Sequence, residues 1–309
     1  MKTFDANPAG ALSFLQQQAA HIEPQVYRME YPQYKYHQLV PLDSSAPDWS
    51  QTVMFRSMDA RGRLKKLGPN STDVPTVDIG VSQGFHGVDT YALGYTFTLE
   101  ELNFALLNNL SLDSERAMAV RDVVEADLNR IYLLGDQDAG EGLYASTAVP
   151  TDSAAGTIDS LVAAIPTNGA QPIITLFGNE YAKVYQTQTN TVHQPTVFAL
   201  PTSTHQLLMR TLLSTDNASN VTVLQFLQMN FPNMEFIDDI NLETAGAGGT
   251  KRMITYKRDM RVVKGHDVMP LMFLAPATAD NINFKVPALV RTGGTEWRIP
   301  KAASYLDGI

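Results

Sequence analysis

"SMDARGRLKKLGPNSTDVPTVDIG", residues 57–80, sits between two runs that alternate like β-strands, yet it holds too few apolar residues to build a core of its own. Before it, QTVMFRS (51–57) reads as a short strand with Val53 and Phe55 on one face. After it, GFHGVDTYALGYTF (84–97) puts Phe85, Tyr91, Leu93, Tyr95 and Phe97 on one parity, a strand with one apolar side. The pattern predicts that the two strands pair, with the polar stretch as an outsized hairpin tip. The near limb is basic, with Arg61, Arg63, Lys65 and Lys66 against Asp59. The far limb follows Asp73 with Val74, Val77, Ile79 and Val81, a set suited to lying on something. Residues 59–83, folded out and back, would reach about 40 Å at strand rise. A globule of this length has a radius of gyration of about 19 Å. A loop of this kind is either a flexible surface excursion or a functional element. The flanking strands and the apolar set favour an ordered arm, and an arm that leaves its own body needs a neighbour, most simply another copy of the chain.

The bulk properties narrow the classes. With 309 residues, 44% of them hydrophobic and 18% charged, the chain can bury a sizeable core and divide into two lobes. A net charge of −9 argues against a dedicated nucleic-acid binder, although a local patch could still touch DNA. The absence of cysteine removes disulfides, thiolate nucleophiles and thiolate-held metals, which suits a reducing cytosol. MKTFDANPAGALSFLQQQ lacks the apolar segment of a signal peptide, and no run approaches the ~20 apolar residues of a membrane helix. A soluble, intracellular chain with no membrane partner is the expectation, and the four Asn-x-Ser/Thr sequons at Asn70, Asn109, Asn217 and Asn220 are then chance.

Along the chain the texture changes. Residues 1–50 read as an arm, broken by prolines, whose scattered tyrosines in VYRMEYPQYKYHQLVPL could lie on another surface. Thr98 and Glu101 form a capping box that opens a helix running to Leu134, with a kink or restart at NNLSLDS (108–114) and Gly135 as a left-handed cap. From about Gly140 to Gly249 short elements alternate as a separate α/β lobe. TIDSLVAAI (157–165) is expected as a helix, PIITLF (172–177) as a buried strand and TVFAL (196–200) as another strand. Helices are expected at 203–213 and 222–229, opened by Ser203–Gln206 and Thr222–Gln225 capping boxes. MEFIDDINL (234–242) and RMITYKRD (252–259) read as strands around the loop ETAGAGGTK, and the tail returns to β texture with a turn at Gly293–Gly294 between two strands. The fold class is α+β.

Catalytic, cofactor and metal signatures are missing. DQDAGEG (136–142) starts like a calcium loop, but Glu141 stands where glycine is needed and Thr147 where glutamate is needed. GAGGTKR (246–252) lacks the Gly-Lys-Ser/Thr ending of a phosphate loop. His21, His37, His86, His193, His205 and His266 show no close ligand spacing, and the His86/Asp89 and His266/Asp267 pairs read as surface or strand polar residues. Asp238–Asp239 and Glu100–Glu101 are adjacent acids that suit an edge strand and a helix cap rather than acid–base work.

Four segments, in order, resemble a known family. MFRSMDARGRLKKLGPNSTDVPTVD resembles a strand and extended-loop opening, and LGYTFTLEELNFALLNNLSLDSERAMAVRDVVEADLNRIYLLGD resembles a spine-helix signature. EGLYAS stands where relatives often read Gly-Leu-Leu-Asn, and TEWRIPKAASYLDGI resembles a closing motif. The family is that of tailed-bacteriophage major capsid proteins with the Hong Kong 97-type fold, to which encapsulins are related. The resemblance implies an N-terminal arm (1–50), an extended β-hairpin or E-loop (51–97), a peripheral (P) domain spine helix (98–140) and an α/β axial (A) domain (141–250). A return to the P-domain sheet and the C-terminus (251–309) would complete it.

It further implies a non-enzymatic, self-assembling subunit of an icosahedral shell around double-stranded DNA, held without sequence specificity. The chain itself would be the main partner, in pentamers and hexamers. No coiled-coil scaffolding domain precedes the arm, so scaffolding would be a separate protein or unnecessary; portal and decoration proteins are further possible partners. The location would be the virion, with assembly in the host cytoplasm. Arg61, Arg63, Lys65 and Lys66, with Asp73, Val74, Val77 and Ile79, would make the E-loop interface. Gly246, Gly248, Gly249 and Lys251 would lie in a loop near the ring axis, and the tyrosine-rich arm would clasp a neighbour. Two other readings stay open: an encapsulin-like compartment holding a cargo enzyme, and an unrelated α/β hydrolase or sugar-binding protein.

Overall fold

The computed structural model describes residues 34–66, 74–101, 103, 112–136, 140–213, 220–278 and 283–309. The described residues fall within one unit, Tyr34–Ile309. Two five-stranded sheets organise it. The first contains β1 (Leu42–Asp43), β4 (Asp89–Thr98), β11 (Val263–Phe273), β12 (Ala277–Thr278) and β13 (Asn283–Trp297). β13 runs along both β11 and β4 in antiparallel register and is the strand on which this sheet is built. The second is ordered β7 (Thr151–Ser153), β14 (Ala303–Asp307), β10 (Arg252–Tyr256), β8 (Val197–Pro201), β9 (Glu235–Asp239). Two small ladders stand apart, β2 (Thr52–Arg61) with β3 (Asp78–Gly87) and β5 (Gly135–Asp136) with β6 (Gly140–Glu141).

A short helix α1 (Tyr36–Leu39) and the long α2 (Leu112–Leu133) pack beside the first sheet. Val120, Val124 and Leu128 of α2 recur at helical spacing and meet Ala288 and Val290 of β13 with Tyr91 and Tyr95 of β4. At the other end Thr98 and Glu101 exchange both bonds of the expected capping box. Residues 102 and 104–111 lie outside those described, including 108–111 of the 108–114 stretch where a kink or restart was expected; the helix is in place from Leu112. Gly135 closes the helix with φ at 86°, as expected of a left-handed cap.

The second sheet is flanked by α3 (Ile158–Ala163), α4 (Ile165–Asn168), α5 (Gln171–Ala182), α6 (Thr202–Arg210) and α7 (Val223–Asn230). Their apolar faces enclose Phe198, Leu200, Met253 and Leu306 of the sheet. Here several expectations give way. PIITLF is not a strand: Ile173, Phe177 and Glu180 are the buried positions of α5, spaced by four and three, and Pro172 is tolerated in its first turn. α6 begins one residue before the expected cap, and the Ser203 N–H and hydroxyl bond Glu243 at 2.7 and 2.9 Å instead of Gln206. Thr222 and Gln225 do form their reciprocal box. β9 and β10 are not neighbours across the 243–251 loop, because β8 lies between them, parallel to β9.

The tail is shared between the sheets. β11 and β13 belong to the first, whereas β10 and β14 close the second, so the end of the chain is not simply a return to one sheet. Gly293 and Gly294 do not make a turn. β13 runs through them, with His266 opposite Gly294 and Asp267 opposite Thr292, which leaves Gly293 as the extra residue of a bulge. The arm is also partly accounted for. Tyr36 is buried, stacks on Tyr132 at 5.1 Å and donates to Glu125 at 2.8 Å, while Tyr34 donates to the Asp122 carbonyl. These two tyrosines are committed to the chain's own body, because their rings fill the groove beside α2.

Buried polar groups lock the second sheet to the segment that follows β6. Arg252 of β10 makes two bonds to Asp307 of β14, at 2.6 and 2.8 Å, and donates to the Tyr144 carbonyl at 2.5 Å. Tyr144 is fully buried and donates to Asp239 at 2.9 Å; it accounts for the departure from Leu-Asn in EGLYAS. Burial works against ionisation of Asp307, but the Arg252 bonds, the Ala247 N–H and the guanidinium charge outweigh it and hold the carboxyl below its usual range. That stabilisation is complete above the ordinary aspartate pKa of about 3.9 and is lost as pH falls through the lower folded value. Arg252→Met should cost about 3–5 kcal/mol by leaving a buried carboxylate unpaired. Chemical denaturation of unassembled subunits measures it, and the acid limb of stability should flatten in Asp307→Asn.

Gly142 meets the end of α2. A Cβ there would lie 2.6 Å from the Leu133 carbonyl oxygen, against backbone that cannot move aside. The next two N–H groups, of Leu143 and Tyr144, bond to the Tyr132 and Leu133 carbonyls at 3.0 and 2.8 Å. Gly142→Ala should therefore destabilise by about 1–3 kcal/mol, read as a lowered midpoint in the same denaturation assay.

Candidate assembly interface

β2 and β3 form a hairpin ladder of ten cross-strand pairs, from Thr52 opposite Gly87 to Arg61 opposite Asp78. At strand rise it is about 30 Å long. Residues 84–97 are thus two strands rather than one: the ladder ends at Gly87, Val88 is buried at the junction, and β4 joins the first sheet. Opposite residues share a face, so the register sorts the side chains. One face carries Met54 opposite Phe85, Arg56 opposite Gln83, Met58 opposite Val81 and Ala60 opposite Ile79, an apolar face interrupted by one polar pair. The other carries Val53, Phe55, Ser57, Asp59 and Arg61 opposite His86, Gly84, Ser82, Gly80 and Asp78.

The second face is used by the chain itself near the base. The Phe55 ring lies over Gly84 and under the Arg298 guanidinium, 4.9 Å from its centroid. His86 bonds the Gly293 carbonyl at 2.6 Å. The segment entering β2 is held by Arg291, a buried residue of β13. Arg291 donates to the Asp48 and Ser50 carbonyls at 2.7 and 2.9 Å and to the Thr90 hydroxyl at 2.9 Å. The hairpin root is therefore a built joint. Its apolar face is left open: Met58 is 73% exposed, Phe85 69%, Ile79 60% and Val81 54%.

Of the residues singled out in the sequence, Arg61 ends β2, pairs in register with Asp78 and contacts Asp59 at 3.2 Å, with both side chains exposed. Arg63, Lys65 and Lys66 continue beyond the ladder as an exposed basic run, with Leu64 fully open among them. Val74 and Val77 are exposed before β3, and Ile79 lies on the apolar face; Asp73 is outside the described residues. Sequence reading missed Met54 and Met58, which lack the β-branched signature of strands. Once the register is known, their two-residue phase matches that of Ile79 and Val81.

The loop 243–251 is a closed structure. Gly246 is buried, Gly248 and Gly249 are exposed at φ of 70° and 77°, and the Ala247 N–H bonds Asp307 at 3.0 Å. Lys251 pairs with Asp159 at 3.2 Å. His266, expected as a surface or strand polar residue, is buried and bonds Glu296 at 2.7 Å. Among the described residues no group of three or more His, Asp or Glu side chains is placed to hold a metal ion. None of their helices is long and apolar enough to cross a membrane.

The family model described as "Major capsid protein" matches residues 62–309. Among curated proteins none matches the chain. Solved structures do. The capsid of Myoviridae phage XM1 aligns with a TM-score of 0.80 at 17% identity, covering 95% of this chain and 98% of that one. A structure from Mycobacterium phage Bobi aligns at 0.63 and 11% identity, covering 98% and 99%. The mature capsid of bacteriophage PhiM1 aligns at 0.61 and 10% identity, covering 93% and 91%. At these identities the likeness is one of fold, and it spans nearly the whole of each chain. With the family match reaching from the hairpin to the last residue, the chain belongs to the major capsid protein family and has the Hong Kong 97-type fold.

Proposed function

We propose that this subunit closes an icosahedral phage shell by laying its hairpin, residues 52–87, on an adjacent copy. The observation that carries this reading is the open apolar face of the β2–β3 ladder. A two-stranded hairpin alone is marginal in water, and exposed apolar surface of this kind, broken only by the Arg56–Gln83 pair, marks an interaction site. With half to three-quarters of each side chain open, covering Met54, Met58, Ile79, Val81 and Phe85 would contribute roughly 1–2 kcal/mol apiece. That is about 5–10 kcal/mol per hairpin, repeated at every subunit of a closed shell.

Arg61, Arg63, Lys65 and Lys66 then anchor the tip on acidic surface of the neighbour, which a chain of net charge −9 offers in plenty. Val74 and Val77 extend the apolar contact, and Asp73 belongs to the same interface. Gly246, Gly248, Gly249 and Lys251 form a ring-axis turn where several copies meet in pentamers and hexamers, small enough for close approach. The shell holds double-stranded DNA without sequence specificity. Scaffolding is either a separate protein or unnecessary, portal and decoration proteins are further partners where the shell uses them, and assembly takes place in the host cytoplasm.

Met58→Lys with Val81→Asp should leave subunit stability within about 0.5 kcal/mol, since both positions are exposed and the opposite charges face each other across the ladder, yet abolish closed shells in negative-stain electron microscopy. Deleting residues 60–80 should likewise yield a folded subunit that stops at rings or monomers. Normal shells from either variant would remove the hairpin from assembly. Nuclease-resistant DNA in particles from infected cells supports the virion reading; particles filled with a co-purifying enzyme instead would support a cargo compartment.

A further inference from the structure

Two histidines face one another where the hairpin meets the first sheet. The rings of His86 in β3 and His266 in β11 stack with centroids 5.0 Å apart and planes inclined at 28°. His86 Nε2 lies 2.6 Å from the Gly293 carbonyl oxygen, so this nitrogen carries a hydrogen and donates. His266 is fully buried and donates from Nε2 to Glu296 at 2.7 Å. Arg298 reaches the same Glu296 oxygen at 3.4 Å and covers Phe55 of the hairpin. Gly293 is the seat of the joint: a Cβ there would lie 2.8 Å from the Gly87 carbonyl oxygen and 3.1 Å from the His86 ring.

We infer that the His86–His266 stack is a proton-operated latch, which holds the hairpin against the sheet while His86 is neutral and lets it swing about the Gly87–Val88 joint once His86 is protonated. The charged and titratable groups facing His86 are His266 from β11, Glu296 from β13 and Asp89 at the start of β4. Its partner across the ladder, Val53, is apolar. Burial comes first in disfavouring the imidazolium, and His266 adds to it; the Gly293 carbonyl, Glu296 and Asp89 oppose without prevailing. Glu296 is already engaged by His266 and Arg298, so it offers little to a second cation. The docked hairpin therefore binds a proton less readily than a free one. Docking is at full strength above the free imidazole pKa of about 6.5 and weakens as pH falls through it.

The chain has no cysteine, so Gln83→Cys on the hairpin and Gln206→Cys on α6 give two nitroxide sites for distance measurement by double electron–electron resonance. Unassembled full-length subunits, separated by size exclusion, keep this readout independent of shell formation. The expected result is one narrow distance at pH 8 that broadens below about pH 6. His86→Gln, which keeps an N–H for Gly293 and cannot titrate, should stay narrow at both. Should His86→Gln be broad even at pH 8, His86→Phe must restore a narrow, pH-independent distance by stacking alone. An unchanged distribution from pH 8 to 5 in the otherwise native chain, a broadening that persists in His86→Gln, or failure of both variants to hold the narrow distance overturns the latch.

Discussion

A two-stranded ladder has no third layer, and the rest of this structure is arranged around that constraint. Whatever apolar side chains such a hairpin carries, one face at most can be covered where it joins its own body. Here the base of one face is covered by Arg298 and Gly293, and the other face keeps Met54, Met58, Ile79, Val81 and Phe85 in solvent. A single-chain protein would be selected against such an edge, because it invites association. In a major capsid protein association is the function, and on the proposed reading the exposed stripe is the surface a neighbour covers.

An arm that works against a neighbour must be held stiffly at its root. Among the described residues, buried polar groups lie both near that root and through the second sheet. Arg291 spends its guanidinium on two backbone carbonyls and a hydroxyl at the hairpin entrance. Tyr256 of the second sheet donates to the Leu39 carbonyl at 2.6 Å, and Tyr132 donates to the His266 carbonyl at 3.1 Å. Such bonds add little net stability each, but an unmet partner would cost more, so they fix one arrangement rather than several. The tail supplies strands to both sheets, β11 and β13 to the first and β10 and β14 to the second.

The sequence was legible where local physics decides. The Thr98–Glu101 and Thr222–Gln225 boxes, the Gly135 cap and the α2 stripe all depend on residues within a turn or two of one another. It misled where tertiary context decides. PIITLF has strand composition, yet Ile173 and Phe177 bury only on a helix. Gly293–Gly294 has turn composition, yet a long strand passes through with a bulge. The excursion at 57–80 was recognisable from its length, charge and flanking strands. Its working face was not, because face depends on register, and a one-residue shift exchanges Met58 and Val81 for Ser57 and Ser82.

The hairpin thus passes from a buried polar root to an apolar midsection and then to a basic tip, and these zones serve different tasks. Charges at the tip act at long range and are screened by salt, so they suit encounter and orientation. The apolar stripe acts only on contact, and on the proposed reading it would supply the larger share of the binding free energy. The root decides where the other two zones point. A small angular change at Gly87–Val88 is carried along a lever of about 30 Å, so even weak control at the joint becomes a large displacement at the tip. Hydrogen-bonded groups such as the buried Arg291 and His266 and the half-buried His86 are suited to that position because they allow discrete arrangements instead of a continuum. Exposed methionines are suited to the midsection, where an unbranched side chain can adapt to differing neighbour contacts around a closed surface.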